Sequence, residues 1–258
     1  MGREPGLAEP LAESFVESFV EHGFVRLEAA FPRELARECR ALLWADAGCA
    51  PDDPRTWTRP LIRLPSRTDA PFRRAAGTPA LHAAFDRLVG PGRWVPRQGL
   101  GTFPLRFPHA DDPGDTGWHV EGGFRPPGSV WPWVDVRSRG RALLMFFLFS
   151  DVGPDDAPTL LRPGSHRDVA ALLAPQGPEG MSTVSLRRAW DRRDDGRRPV
   201  VAATGRAGDV YLCHPFLVHS AQRHRGRTPR FLAQPCLAPR GPLEEGRPVA
   251  EAIRRAVP

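Results

Sequence analysis

The chain has 258 residues, 41% hydrophobic and 26% charged, with 36 basic against 30 acidic side chains and a net charge of +6. This is enough chain to bury a full core in one domain or two, and its 25 Gly and 30 Pro stay below the level of low-complexity polymers. Every basic residue is Arg, and Lys and Asn are both missing, which excludes Schiff-base and P-loop lysines, N-glycosylation and Cys-His-Asn hydrolysis. The two absences point to GC-rich coding bias, so basicity argues little for nucleic acid, and none is expected as a partner. Cys39, Cys49, Cys213 and Cys236 form no CxxC pair, which disfavours a zinc ribbon. Met1–Pro10 is polar and proline-broken, unlike a signal peptide. The longest apolar run, Ala142–Phe149, is far short of the roughly 20 residues of a membrane helix. A soluble cytoplasmic protein with no membrane partner is expected.

Leu11, Phe15, Phe19 and Val20 recur at near-helical spacing, predicting a helix over Leu11–His22 that ends at Gly23. Phe24–Leu27 reads as a short strand. Pro32 stands where a helix can begin, and Arg33–Trp44 is predicted as the second helix. Ala50–Phe72, dense in Pro, Asp and Arg, reads as loop. Thr78–Leu88 is a third helix, broken at Gly90-Pro91-Gly92. From Trp94 the texture changes to short apolar runs divided by turn residues. Strands are expected at Gly101–Phe107, Gly117–Glu121, Arg141–Phe149, Thr159–Arg162, Val200–Ala203, Asp209–Cys213, Leu217–Ser220 and Phe231–Pro235. Such spacing suggests an antiparallel sandwich or barrel. Leu143–Phe149 is apolar throughout, as expected for a strand covered on both faces. The charge run Asp191–Pro199 reads as a solvated loop.

The sharpest local feature is Gly117-Trp118-His119-Val120-Glu121-Gly122-Gly123. On a strand His119 and Glu121 project from one face, and an imidazole beside a carboxylate can take adjacent positions on a divalent metal. Alone, the triplet also fits a polar strand end. A late histidine, in Cys213-His214-Pro215-Phe216-Leu217-Val218-His219-Ser220, could complete a two-His-one-carboxylate triad. Arg230 follows His219 by eleven residues at the head of an apolar segment, and a buried guanidinium there matches a carboxylate. His219 is favoured over His214, which is five residues away and faces the other side of a continuous strand. His166, in Pro-Gly-Ser-His, reads as a turn residue bonding backbone. His109 and His224 are expected to be exposed, and His22 and His82 belong to the helical part.

Together these pieces resemble the phytanoyl-CoA dioxygenase family of Fe(II)/2-oxoglutarate-dependent oxygenases. The N-terminal helix leads into Gly23-Phe24-Val25-Arg26-Leu27, followed by Trp118-His119-Val120-Glu121. After the apolar strand come Pro158-Thr159-Leu160-Leu161-Arg162-Pro163-Gly164-Ser165-His166-Arg167, then Gly208-Asp209-Val210 leading to His219 and Arg230. The resemblance implies a mainly β chain with flanking helices: a double-stranded β-helix (jelly roll, cupin-like) with the N-terminal helices packed outside. One domain would fill 1–258, with a helical part at 1–93, a jelly-roll core at 94–240 and a tail at 241–258. It implies His119, Glu121 and His219 as iron ligands and Arg230 as the partner of the distal 2-oxoglutarate carboxylate. It further implies O2 as oxidant, succinate and carbon dioxide as by-products, and hydroxylation of a small molecule in bacterial secondary metabolism.

The family usually carries Asp where this chain has Glu121, although related oxygenases use Glu, and often Ser two residues after the distal His, where this chain has Ala221 after Ser220. Arg106 is a second co-substrate candidate, with a surface salt bridge as the alternative. Trp118, Phe103, Trp131 and Trp133 are candidates for a substrate wall, with loop packing as the alternative. Relatives that halogenate have Gly or Ala in place of the carboxylate, so Glu121 implies oxidation without halogen transfer. Two rival readings are a catalytically inert jelly-roll binding protein, which would release no succinate, and a cupin-like metalloenzyme independent of 2-oxoglutarate, in which Arg230 is structural.

Overall fold

The computed structural model describes residues 12–256; Leu11 of the first predicted helix, the Met1–Pro10 segment and the last two residues of the tail lie outside the described residues. Helix α1 (Glu13–His22) stops at Gly23, whose φ of 82° turns the chain back so that its amide donates to the Phe19 carbonyl. A Cβ on Gly23 would stand 2.4 Å from His166 Nδ1, so both conformation and close approach demand glycine. Strand β1 (Phe24–Leu27) and helix α2 (Arg33–Ala47) follow as the sequence predicts. The predicted loop Ala50–Phe72 instead contains β2 (Leu61–Leu64) and the start of α3 (Ala70–Ala76). The reason is non-local: β2 pairs antiparallel with β3 (Phe103–Arg106) over its whole length, a partner that local composition cannot reveal. Helix α4 (Pro79–Leu88) starts at Thr78, whose hydroxyl accepts from the Leu81 amide.

The second half carries β4 (Trp133–Val134), β5 (Leu143–Leu148), β6 (Leu160–Leu161), α5 (Ser165–Leu173), β7 (Met181–Ser182), α6 (Thr183–Arg193), β8 (Val201–Ala202), β9 (Val210–Cys213), β10 (His219–Ser220), β11 (Leu232–Ala233), β12 (Cys236–Leu237) and α7 (Pro248–Arg254). Most predicted strands are present but shorter. Gly117–Glu121 is an exception: it is an irregular extended segment held by single bridges at Thr116 and His119, because Gly117 adopts φ 136° and interrupts the pleat. Helices α5 and α6 fall where the sequence reading placed no element, and the charge run 191–199, expected as loop, begins inside α6. Helix α6 is polar, with only Leu186 and Trp190 buried, so its period is hard to see in sequence. Helical residues outnumber strand residues among those described, which corrects the mainly β expectation. The chain is mixed α/β, with antiparallel strand pairing and no closed barrel among the described residues.

The main sheet runs β1-β9-β5-β11, with β12 also on β5. Strand β5 is fully buried, and its alternate residues belong to different cores. Leu143, Met145, Phe147 and the following Phe149 pack with residues of α2, α3 and α4. Leu144, Phe146 and Leu148 pack with Leu161, Tyr211 and Leu217 on the opposite side. Burying each such side chain contributes about 1.5–3 kcal/mol. Helices therefore cover one face of β5, and the short strands β6, β8 and β10 lie over the other.

Two buried imidazoles seal the junction of α1, α5 and α7. His166 Nε2–H donates to the Val20 carbonyl and His214 Nε2–H to the Val249 carbonyl, both at 3.1 Å, with ring centroids 5.0 Å apart. His166 is thus structural, as its turn motif suggested. Burial pushes its pKa down to about 4, and burial together with His166 pushes that of His214 well down. An unfolded histidine titrates near 6.5, so below that pH the unfolded chain binds protons that the folded chain refuses. Stability is therefore full above about pH 6.5 and falls as the pH drops towards 4, with His166 alone contributing a loss of about 2 kcal/mol at pH 5. Urea midpoints should be lower at pH 5 than at pH 8, and His166→Leu should shrink that difference whatever its baseline stability.

Candidate metal and carboxylate site

His119 and His219 sit opposite each other in an isolated antiparallel bridge, each amide donating to the other's carbonyl at 3.0 Å. Residues so paired project from the same face, which brings the two rings to a centroid distance of 4.4 Å. Each ring is fixed by its own chain: His119 Nδ1–H donates to the Gly117 carbonyl at 2.8 Å, and His219 Nδ1–H to the Leu217 carbonyl at 3.0 Å. Those bonds set the tautomer and leave both Nε2 lone pairs free. Glu121 Oε1 lies 3.8 Å from His119 Nε2 and 3.9 Å from His219 Nε2. One ligand atom from each residue falls within 4.8 Å of the others, so the chain's three proposed ligands meet in one place. Such a donor set, two imidazoles and one carboxylate, fits a divalent iron site with open positions.

The electrostatics keep Glu121 and His219 in the form a metal needs. Burial and the neighbouring His119 lower the His219 pKa to about 4, so its imidazole is neutral at pH 7. Burial opposes ionisation of Glu121, but the adjacent His119, His219 and Arg141 outweigh it and hold the carboxyl at about 2. For His119, burial is the largest influence and lowers its pKa, while the Glu121 carboxylate and Gly117 carbonyl raise it further and win. His214 is occupied elsewhere: Nε2–H donates to Val249, and Nδ1 accepts from the Phe216 amide at 3.1 Å. The placing of His219 rather than His214 in the cluster follows from that.

Beside the triad, a cavity of about 240 Å³ is lined by Arg106, Asp115, Thr159, Ala221, Arg230 and Gln234 together with the three ligands. Arg106 and Arg230 form a second antiparallel bridge, which places two buried guanidiniums side by side. Arg230 donates to the carbonyls of Ala157 and Pro104, yet its Nε is buried without a partner. Arg106 is 1% exposed, not the surface residue the alternative reading allowed. Its NH2 donates to both Asp115 oxygens at 2.7 Å, while Nε and NH1 have no partner. Burial first, then Arg106, lowers the Arg230 pKa to about 9, with Asp115 opposing. Unused donors on two buried cations fit a carboxylate. Ser220 does not line this cavity; its hydroxyl accepts from the Gly117 amide and donates to the Ala221 carbonyl.

The aromatic candidates divide. Phe103 is fully buried against Phe72 and Phe149, in the core and out of substrate reach, because its strand turns that residue towards the helices. Trp118 points away from His119 and stacks on the Arg162 guanidinium at 4.5 Å. Trp131 is 55% exposed on a loop, and Trp133 Nε1–H donates to Ser129 Oγ; neither lines the cavity. That loop approaches so closely that a Cβ on Gly122 would stand 2.4 Å from the Pro132 Cβ. His224, expected to be exposed, is buried; Nε2–H donates to Thr228 and Nδ1 accepts from Gly226, stitching a tight turn. Sequence reasoning missed Asp115 and Gln234. Gln234 stands at an even offset from Arg230, and even offsets share a face in extended chain; Asp115 carries no such signal, because Gly117 interrupts the pleat between it and His119.

The chain belongs to the phytanoyl-CoA dioxygenase family, whose sequence profile matches residues 19–232. The class is that of oxygenase-type enzymes dependent on iron and 2-oxoglutarate. The fold is similar to that of HygX from Streptomyces hygroscopicus, solved with nickel and 2-oxoglutarate bound (18% identity, 89% of this chain and 88% of that one, TM-score 0.58). It is also similar to the non-heme alpha-ketoglutarate-dependent carbocyclase SnoK from nogalamycin biosynthesis (16% identity, 92% and 87% covered, TM-score 0.56). A third likeness is to the epimerase SnoN in complex with Fe3+, alpha-ketoglutarate and nogalamycin RO (19% identity, 86% and 81% covered, TM-score 0.55). No curated protein matches the chain. No helix among the described residues is long and apolar enough to cross a membrane.

Asp115, itself part-exposed, pairs with buried Arg106 and with Arg63, and removing its charge leaves the buried Arg106 guanidinium without its ion-pair partner. Asp115→Asn should therefore lower the urea midpoint markedly, and 2-oxoglutarate added at millimolar concentration should restore part of the loss, as followed by circular dichroism.

Proposed function

We propose that this protein is an Fe(II)- and 2-oxoglutarate-dependent oxygenase that hydroxylates a small molecule in bacterial secondary metabolism. The observation that carries the reading is the juxtaposition of two carbonyl-anchored imidazoles and a carboxylate with two buried guanidiniums that retain unused donors. His119, Glu121 and His219 hold the iron; Arg230, with Arg106 beside it, takes the distal carboxylate of 2-oxoglutarate. When bound, iron with 2-oxoglutarate and O2 supplies the oxidant for an unactivated C–H bond, with succinate and carbon dioxide as by-products. The chain's own work is placement and exclusion of water. The Gly117 and Leu217 carbonyls aim the two Nε2 atoms, Asp115 balances charge, and the cavity's burial strengthens the guanidinium–carboxylate pair.

The architecture we infer is a double-stranded β-helix in one domain over 1–258, with β5, β9 and β11 in one sheet and β6, β8 and β10 in the other. Two of the proteins of similar fold are a carbocyclase and an epimerase, so hydroxylation rests on the family resemblance and on Glu121 as third donor. Four free cysteines fit a reducing, cytoplasmic compartment.

Anaerobic titration with Fe(II) and 2-oxoglutarate, read by the visible charge-transfer band of the chelate, tests the site. His119→Ala and His219→Ala should lose the band, and His214→Ala should keep it. Arg230→Ala should weaken 2-oxoglutarate by about tenfold to a hundredfold, since a hydrogen bond to a charged group is worth about 1.5–3 kcal/mol, while iron still binds. A band that survives His219→Ala, or an unchanged 2-oxoglutarate affinity in Arg230→Ala, overturns the assignment. Turnover in excess chloride should give oxidised product with no carbon–halogen bond by mass spectrometry.

A further inference from the structure

Glu121 has a longer arm than the Asp the family resemblance implies, and length brings an extra torsion. Its side chain is 34% exposed, so nothing about burial alone fixes the carboxylate. One neutral group touches it: Gln234 Nε2–H donates to Glu121 Oε1 at 3.0 Å. That is the same oxygen that lies 3.8 and 3.9 Å from the two histidine Nε2 atoms. The Gln234 amide nitrogen also stands 3.5 Å from His219 Nε2, at the edge of the space the three ligands enclose. A carboxylate oxygen has two lone-pair sites, so one can accept from the amide while the other faces the histidines.

The amide is presented from rigid backbone. Gln234 N–H donates to the Thr102 carbonyl at 2.9 Å, and the next residue's carbonyl, at Pro235, accepts from Met145 at 3.0 Å. Gln234 immediately follows β11, which pairs with the doubly buried β5. Arg141, the guanidinium whose charge acts on Glu121, donates to the Gly122 carbonyl and has no hydrogen bond to Glu121 among the described residues. Among the described residues, the Gln234 amide is the group that meets this carboxylate at ordinary hydrogen-bond length, with His119 Nε2 farther off at 3.8 Å.

We propose that Gln234 is a positioning residue that holds the longer Glu121 arm in its ligating orientation, and that this amide is what allows glutamate to serve at this position. The inference rests on the triad reading given above. Groups that orient a metal ligand from outside typically change metal affinity by about 10–100-fold.

The test is a Co(II) titration of the full chain, followed by visible absorption and by calorimetry. Wild type should bind one Co(II), and His119→Ala should abolish that site; equal binding by the two would refute the triad reading itself. With the site present, Gln234→Met, close in size but without a donor, should weaken Co(II) by about 10–100-fold and change the shape of the visible bands. Gln234→Asn, too short to reach, should behave alike, which guards against a folding defect in either variant. In a Glu121→Asp background, whose shorter arm already misses the amide, Gln234→Met should cost less than about threefold more, because the two changes share one interaction. Wild-type affinity and spectrum in Gln234→Met or Gln234→Asn, or an equal penalty in both backgrounds, overturns the role of Gln234 while leaving the triad intact.

Discussion

The structure depends on β5 being covered on both sides. A strand of alternating residues that bury Met145 and Phe147 on one face and Leu144 and Phe146 on the other forces two layers to form around it. The helices α2, α3 and α4 supply one. The other holds the short strands that end in the site, and Phe146 meets the His219 ring edge-on at 5.8 Å. Because β9, β11 and β12 all pair with β5, the segments carrying Arg230 and Gln234 take their positions from the same element. A cavity under β5 would thus loosen the core and the site together.

In the site, irregular chain is pinned at single points against strand ends. His119 and Arg230 meet His219 of β10 and Arg106 of β3 through isolated bridges, while His219 and Arg106 are themselves paired in ladders with β6 and β2. This economy suits a site whose polar groups must face a cavity. Regular sheet on both sides would turn alternate residues away, whereas Gly117, with φ 136°, lets the chain change course just before His119. The cost is electrostatic. Two guanidiniums lie buried with Asp115 as counter-ion, and burial together with the neighbouring Arg106 lowers the Arg230 pKa.

His214 and His219 show how burial sorts like residues. Both are almost fully buried histidines within six positions of chain. His214 uses both ring nitrogens, one as donor to Val249 and one as acceptor from Phe216, so it closes the joint between α1, α5 and α7. His219 spends one nitrogen on its own backbone and leaves the other facing Glu121 and His119. The division of roles lies in the partners each ring has, not in its exposure.

Much of the helical half was legible because its signals are local: Gly23 and Pro32 mark helix boundaries, and an unbroken apolar run from Leu143 announces a strand buried on both faces. The proposed metal ligands were legible too, since an HxE triplet, a late His and an Arg at fixed spacing express chemistry that few residue types can perform. The strand at Leu61–Leu64, the polar helix at Thr183–Arg193 and the core position of Phe103 were not. Each depends on a partner far away in the chain, and local pattern carries no record of distant pairing. The same holds for Asp115 and Gln234, ordinary residues in sequence that become part of the site only when β3 and β11 come alongside. What the sequence by itself determined was which chemistry the chain can hold and where its local turns fall. Tertiary structure alone decided which donors face one another, because convergence in space comes from long-range packing on β5 that no short stretch encodes.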